Sequence, residues 1–511
     1  MEDKNVQIEE KLYSTHIFIL PFKILENKST DKNSNPKYQR KKLLLKDESQ
    51  WIEYDPVNSD NPLDKTLMRY LNKYAKDSLF KYGSDENNKY VMELHNTIIK
   101  NSKLKIEYLD KNYELKLESV KVKFFDTSVG TISFIVNNYK YPKIEDVLLI
   151  NNQGRKIYPA YEGEKCSIIT ISEEKVGNIS CCISKADIKY INEIEHINNE
   201  LIGYFLNLEK IEPILDDRMY TISHYLDENL SKNYVGKCCN NAELNPKQSQ
   251  EKYWYQYIFI DEMGFKMCQD EKMENELLEK ATYTRWRDLG TLFGISRYSF
   301  VLWTNDTDFN KEHLNNHIKN HYFQLVNFVI AQKSTIVLLN EQINNILDEG
   351  NISDHKSEEG KKEYQEYLLY LSKLSFKEIT CQEQGIELYN LCRQQMGIEE
   401  LTEELDIKIK TLNERAERIR DNIENENDKK LNYIGMVLAV LGSFFGVLGI
   451  GEEYIRNDYS NNLNAYGALI KILKNYSYIV SACVILGFII TSKKVKNIIS
   501  KYIGVKNDYR K

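Results

Sequence analysis

The chain has 511 residues, with 69 Lys and Arg against 76 Asp and Glu and a formal net charge of −7. That length accommodates two or three domains, and the acidic balance excludes a general phosphate-backbone binder, which needs a basic surface to release counterions; no direct nucleic-acid binding is expected and any nucleotide recognised is small. Nine cysteines, an odd number that includes the adjacent couples Cys181/Cys182 and Cys238/Cys239, lack paired spacing and read as reduced cytosolic thiols.

The opening MEDKNVQIEEKLYS is acidic and has no apolar h-region, so no secretory signal is expected and the soluble part is placed in the cytoplasm. Residues 12–24, 104–126 and 130–138 are β-branched, aromatic and partly of period two, which predicts strands, and 63–80 has helical spacing between the first two. A strand is expected at 165–172, a helix at 185–207 and another strand at YWYQYIFIDEM, 253–263. The expected fold class is α+β, with a mixed cytoplasmic domain over 1–308.

Within that domain two stretches look like ligand sites. INNQGRKIYPAY, 150–161, sets Asn151 and a Gly turn before Arg155 and Lys156. A Gly turn lets backbone N–H groups face a ligand, and Arg grips phosphate or carboxylate in a bidentate fork. In TRWRDLGTLFGISRYSFVLW, 284–303, Arg285, Trp286, Arg297 and Tyr298 mix guanidinium with aromatic faces, which is equally the pattern of an ordinary cation–π surface contact.

Beyond residue 308 the pattern turns helical, and 309–430 reads as a long helical stalk whose one obvious interruption is the polar stretch 348–362. His313, His317 and His321 recur at i, i+4, i+8, so the outer two lie about 12 Å apart along a helix and only adjacent pairs can share an ion. The bland reading is a solvated face, and no metal site is assigned. No P-loop, G-x-G-x-x-G, H-E-x-x-H or paired C-x-x-C occurs, so no catalytic residues are assigned and no enzyme is expected. Ile398, Leu401, Leu405, Ile409, Leu412, Ala416, Ile419 and Ile423 then form a stripe at three- and four-residue steps. Such a stripe packs either on its own chain or against other subunits in a ring.

The stripe leads into LNYIGMVLAVLGSFFGVLGI, 431–450, twenty uncharged residues. As a helix this run is about 30 Å long, the thickness of the bilayer's hydrocarbon core. A second run, Tyr476 to Ser492, follows a linker over 451–475, and 493–511 is a basic tail. Seven Lys or Arg in 401–430 and seven in 493–511 flank a linker that has three, which puts both termini in the cytoplasm and the linker outside. The bland alternative is a helical hairpin buried in a soluble domain. Asn432, Gly435, Ala439, Gly442, Gly446 and Gly449 share one face of the first run, which suits close helix packing or the wall of a pore. On the second reading Ser443 lies on the neighbouring face, and Glu452 and Glu453 form an acidic outer mouth that attracts cations.

Two C-terminal spans after a long helix and a cytoplasmic α/β domain resemble the CorA family of divalent-cation transporters. The resemblance implies a funnel-shaped homopentamer with the first span lining the pore. Those transporters carry Gly-Met-Asn at the outer end of that span, where this chain reads GIGEEY; its one Gly-Met, Gly435–Met436, lies at the cytoplasmic end. The sequence is more similar to the CorA-like effectors of type III CRISPR systems, through FFDTSVGTISF (124–134), INNQGRKIYP (150–159), RWRDLGTLFGISRYS (285–299) and EITCQEQGIELYNL (378–391). It departs at Ser128, where that group has Gly, and at Lys156, where a second Arg is expected.

This resemblance implies a multi-pass protein of the bacterial inner membrane. Its cytoplasmic domain would bind a nucleotide second messenger, S-adenosylmethionyl-AMP, and its spans would then breach or depolarise the bilayer. Arg155 and Lys156 would take the phosphate, aromatic faces the adenine, and Asp126, beside Thr127, the amino or sulfonium group. No resident cofactor is implied, although a divalent cation remains compatible with the CorA relationship. The alternative function is a constitutive divalent-cation transporter of the CorA type.

Overall fold

The computed structural model describes residues 10–25, 42–80, 90–97, 102–156, 168–173, 177–181, 200–216, 218–227, 248–261, 267–348 and 354–457. It is an α+β protein built on one thirteen-stranded sheet. The strands are β1 (Ser14–Ile24), β2 (Trp51–Glu53), β3 (Val91–Asn96), β4 (Lys103–Tyr108), β5 (Lys111–Phe125), β6 (Val129–Asn138), β7 (Ile168–Glu173), β8 (Gly177–Cys181), β9 (Ile211–Pro213), β10 (Tyr220–Leu226), β11 (Thr282–Tyr283), β12 (Thr291–Ile295) and β13 (Ser299–Thr304). Their main order is β11-β12-β13-β10-β1-β6-β5-β4-β7-β8, with β3 and β9 added against β5 and β1 and β2 against β3. Among the described residues every pairing is antiparallel except β10 with β13.

Alternation along β1 supplies both faces of the sheet: Ile17 and Ile19 join one apolar cluster, while Phe18, Leu20 and Phe22 join another. A strand covered on both sides has no solvent face, so β1 reads as a nearly continuous apolar run. The predicted strand 104–126 is a hairpin, broken by Leu109 at φ 53° between β4 and β5. The predicted helix 63–80 is two helices, Pro62–Tyr70 and Lys73–Phe80. The break is made by Asn72, whose N–H donates to Ile379 O at 2.9 Å and whose Oδ1 accepts from Ala75 N.

Two expectations are overturned. Residues 253–259 are not a strand but part of a helix, Gln248–Phe259. Trp254, Tyr257 and Ile258, at i, i+3, i+4, are all at most 1 % exposed, so helical packing overrides the strand preference of Trp, Tyr and Ile. Asn151–Gly154 is not a turn but the last stretch of the helix Ile144–Gly154. A Cβ on Gly154 would stand 2.5 Å from Phe18 Cζ and 3.0 Å from Ile106 Cδ1, so this glycine serves close approach of helix to sheet. The predicted 185–207 helix is described only at its end, as Glu200–Phe205.

Among the described residues one helix, Asn310–Leu347, is long and apolar enough to cross a membrane by length and composition. Its most apolar window is 89 % buried, and Phe323, Leu325, Val326, Phe328 and Val329 are fully buried in the cluster that backs the sheet. It packs as a core helix, and the chain divides into two compact units, Met1–Glu417 and Arg418–Lys511. Its first turns are π-helical, Asn310–Leu314 and Ile318–Tyr322. His321 is only 4 % exposed and packs edge-on against Tyr70 at 4.8 Å, so the expected solvated histidine face is buried at its end.

The helix Ile398–Asn457 contains the whole predicted stripe and the whole of 431–450, and continues through Glu452 and Glu453. In the first unit Ile398, Leu405, Ile409 and Leu412 are buried against their own chain. That assigns the first four turns of the stripe to intrachain packing. In the second unit Leu431, Tyr433, Ile434 and Met436 are 65, 49, 51 and 66 % exposed, and nothing lies within 4 Å of a Cβ placed on Gly435. Asn432 is exposed as well. Ala439, Gly442, Ser443, Gly446 and Gly449 lie on this helix, with side chains outside the described ones, and 476–492 lies outside the described residues.

The β5–β6 turn carries a residue-level signal. Ser128 holds φ 57°, a left-handed conformation that strains a side chain and suits glycine. Ser128→Gly is expected to raise stability by about 0.5 kcal/mol, a gain limited by glycine's greater unfolded freedom. A thermal melt with an unchanged or lowered midpoint would refute this.

Candidate functional site

Six chain segments far apart in sequence close around one cleft. Arg155 caps the C-terminus of the helix Ile144–Gly154. Its carbonyl accepts from Met219 N at 2.9 Å, and Lys156 bridges to Arg218, so the helix end is stitched to the entry of β10. Arg297 and Tyr298 occupy the short loop between β12 and β13, closed by Ser296 N donating to Ser299 O. The Arg155 guanidinium lies 5.4 Å from the centroid of the Tyr298 ring, a cation–π contact that orders both.

The cleft encloses about 70 Å³, and its remaining walls come from Leu215, Asp216, Arg218 and Tyr220 before and at the start of β10, and from Ile330, Lys333 and Met396 on two helices. Leu215 holds φ 79°, so backbone strain is stored at its edge. Four lining residues are cationic, Arg155, Arg218, Arg297 and Lys333, against one carboxylate, Asp216. Burial and the neighbouring Arg297 push the Lys333 ammonium down to about 8, against the opposing pull of Cys392 and Asp216. Burial likewise pushes the Cys392 thiol up to about 12. The lining is thus predominantly cationic, with the aromatic ring of Tyr298 beside Arg155.

Of the residues singled out in sequence, Arg155, Arg297 and Tyr298 line this cleft and Lys156 adjoins it through its bridge with Arg218. The others are elsewhere. Asn151 is 1 % exposed and its Oδ1 lies 2.6 Å from His16 Nδ1; His16 is pushed to about 4 by burial, against the opposing effect of that hydrogen bond, and so stays neutral. Asn151 belongs to a buried polar network that secures the helix to β1. Thr127, 1 % exposed, pairs its hydroxyl with that of Thr335 at 2.8 Å, and the Asp126 N–H donates to Tyr90 O at 3.0 Å, so this turn fastens the sheet to its neighbours and does not line the cleft.

Arg285 pairs with Glu387 at 2.6 Å and lies 6.0 Å from the Trp286 ring, while Tyr283 donates to the same carboxylate. These contacts join the 285–299 stretch to the 378–391 stretch, outside the cleft. Sequence reading missed Asp216, Arg218, Tyr220 and Lys333. A signal for Lys333 was present: it is the single Lys, Arg, Asp or Glu between Lys319 and Glu341 in an otherwise apolar helix. Asp216 and Arg218 sit in LDDRMY, which has no pattern to separate them from ordinary loop residues.

Among the described residues no group of three or more His, Cys, Asp or Glu is placed to hold a metal ion, and His317 and His321, with ring centroids 4.5 Å apart, form a pair only. No family model matches the chain, and no curated protein or solved structure matches it.

Proposed function

We propose that this chain is a ligand-gated membrane effector, CorA-like in architecture, that acts in type III CRISPR antiviral defence. Its α+β part binds S-adenosylmethionyl-AMP in the Arg155 cleft, and its C-terminal apolar helices respond by letting ions through the inner membrane or by disrupting it. On this reading both termini are cytoplasmic, the subunits assemble as a homopentamer, and 431–450 and 476–492 are the spans. The protein is not an enzyme.

The observation that carries this reading is the convergence of Arg155 with Arg297 and Tyr298, which come from two of the four resemblance stretches, in a cationic cleft with an aromatic wall. A phosphodiester fits the guanidinium forks, adenine fits the Tyr298 face, and Asp216 takes the ammonium or sulfonium role that Asp126 is too remote from the cleft to fill. Met396, which lines the same cleft, ends its helix at Gly397, a left-handed cap at φ 66°, and Ile398 begins the helix that continues into the apolar run. A ligand touching Met396 therefore has a short route to that helix. It shifts the closed and open populations only by its differential affinity for the two.

The exposed Leu431, Tyr433, Ile434 and Met436 support a lipid or subunit environment for the start of that run. The test is isothermal titration of the detergent-solubilised protein with S-adenosylmethionyl-AMP, with ATP and S-adenosylmethionine as controls, followed by dye release from liposomes. Binding of the conjugate alone, with release, is expected. Binding of magnesium with no response to the conjugate would return the chain to the constitutive transporter class.

A further inference from the structure

Lys333 and Arg297 line the cleft together with Arg155. Arg155 lies against Tyr298 and within electrostatic reach of Asp261. Lys333 lies close enough to Arg297 for the guanidinium to disfavour its charged form. Among the described residues neither Lys333 nor Arg297 makes an ion pair within 4.0 Å. Two adjacent like charges facing a cavity, one of them on a core helix, are unfavourable until an anion arrives between them.

Resting on the reading above, we infer that Lys333 and Arg297 form a second anion subsite beside the Arg155 phosphate grip, which takes the carboxylate of the same ligand and draws a proton onto Lys333 as that anion binds. The groups that face Lys333 are Arg297 from the β12–β13 loop, Asp216 from the segment before β10 and Cys392 from the helix Glu383–Met396, with Arg155 and Arg218 on the remaining wall. Cys392 stays protonated at neutral pH, and Lys333 is the group that titrates near pH 8. A bound anion favours the ammonium, so the complex holds more protons than the free protein and affinity falls as pH rises through about 8.

The experiment is titration calorimetry of the full-length protein with S-adenosylmethionyl-AMP between pH 6.5 and 9.5, in buffers of different ionisation enthalpy so that proton uptake is read directly. Wild type is expected to take up a fraction of a proton near pH 8 and to lose affinity by up to about tenfold per pH unit above it. Lys333→Met should weaken binding about ten- to hundredfold and abolish the uptake, whereas Lys333→Arg should bind with no pH dependence in this range. Arg297→Gln, at an exposed loop position, should weaken binding without unfolding the protein. Titration with AMP and with S-adenosylmethionine checks the assignment: the affinity of S-adenosylmethionine, which has the carboxylate, should follow Lys333. Tight binding of the conjugate by Lys333→Met with unchanged proton uptake would overturn the subsite and leave the messenger reading standing. Failure of wild type to bind any of the three probes would overturn both.

Discussion

Arg155→Ala should lose messenger binding by about a hundredfold or more while the assembled size stays unchanged. A guanidinium that donates two charge-assisted hydrogen bonds to one anion contributes about 3 kcal/mol, which is a factor of about a hundred in affinity. The side chain is 5 % exposed, so its anion contact is made in a poorly solvated place where screening is weak. The backbone stitch survives the substitution, because it is the Arg155 carbonyl that accepts from Met219. Arg155→Lys should recover only part of the affinity, since an ammonium cannot reproduce the fork. Asn151→Ala is the informative contrast. It removes the partner of a buried imidazole and should lower stability by about 1–3 kcal/mol, yet the folded fraction should bind with wild-type affinity. Wild-type affinity in Arg155→Ala would remove this cleft from consideration, and lost affinity in a folded Asn151→Ala would restore the INNQGRK stretch as a single ligand loop.

Lys123→Met should destabilise the α+β unit by about 3–5 kcal/mol. Lys123 and Glu93 lie 3.1 Å apart, each with 2 % of its side chain exposed, between the sheet and the core helix. Gln324 hydrogen-bonds both, and His95 adds a 2.9 Å contact to Glu93. Burial alone would raise the Glu93 carboxyl; the Lys123 ammonium, with His95 and Lys121, outweighs it and holds the group well below the usual carboxylate range. The resulting stability is complete above that range and is lost progressively as pH falls through it toward the lower native value. Removing Lys123 leaves a buried carboxylate with Lys121, which lies over the Phe323 ring at 4.7 Å, as its remaining cation. The double substitution Lys123→Met/Glu93→Met should regain most of the loss, because desolvation of two ions offsets much of a buried pair's attraction. Denaturant unfolding measures both; a single-variant loss under 1 kcal/mol would show that Lys121 replaces its neighbour.

Much of the architecture was legible locally. The strands β1 and β6, the β4–β5 hairpin sequence and the apolar stretches of the helices announce themselves by period and length. The misread elements share a cause. At 253–259 the residue types favour strand and the buried positions favour helix, and which pattern prevails depends on the apolar surface that Leu292, Val301 and Trp303 present. Asn-Asn-Gln-Gly has the composition of a turn, but it ends a helix whose Gly154 packs closely against Phe18 and Ile106.

The site was legible in pieces. Arg155, Arg297 and Tyr298 each stood out as cation or aromatic beside the other, which is a local property. Their convergence is not local: it depends on β1, β10, β12 and β13 lying side by side and on one core helix crossing behind them. Lys333 stood out in sequence only as the one charge in its stretch of helix, and its place in the cleft depends on that packing.

By itself the sequence determined the α+β character, the twenty-residue uncharged run that forms part of one long helix, and the presence of paired cations and aromatics, because each is carried by neighbouring residues and their spacing. The tertiary structure alone decided that Asn310–Leu347 is core, that the stripe from Ile398 to Leu412 packs on its own chain, that Asn151 and Thr127 are interior fastenings, and that Lys333 and Arg218 complete a cleft with Arg155. Burial depends on which surfaces meet across hundreds of residues of chain, and the same apolar periodicity serves a protein core, a subunit contact or a lipid face.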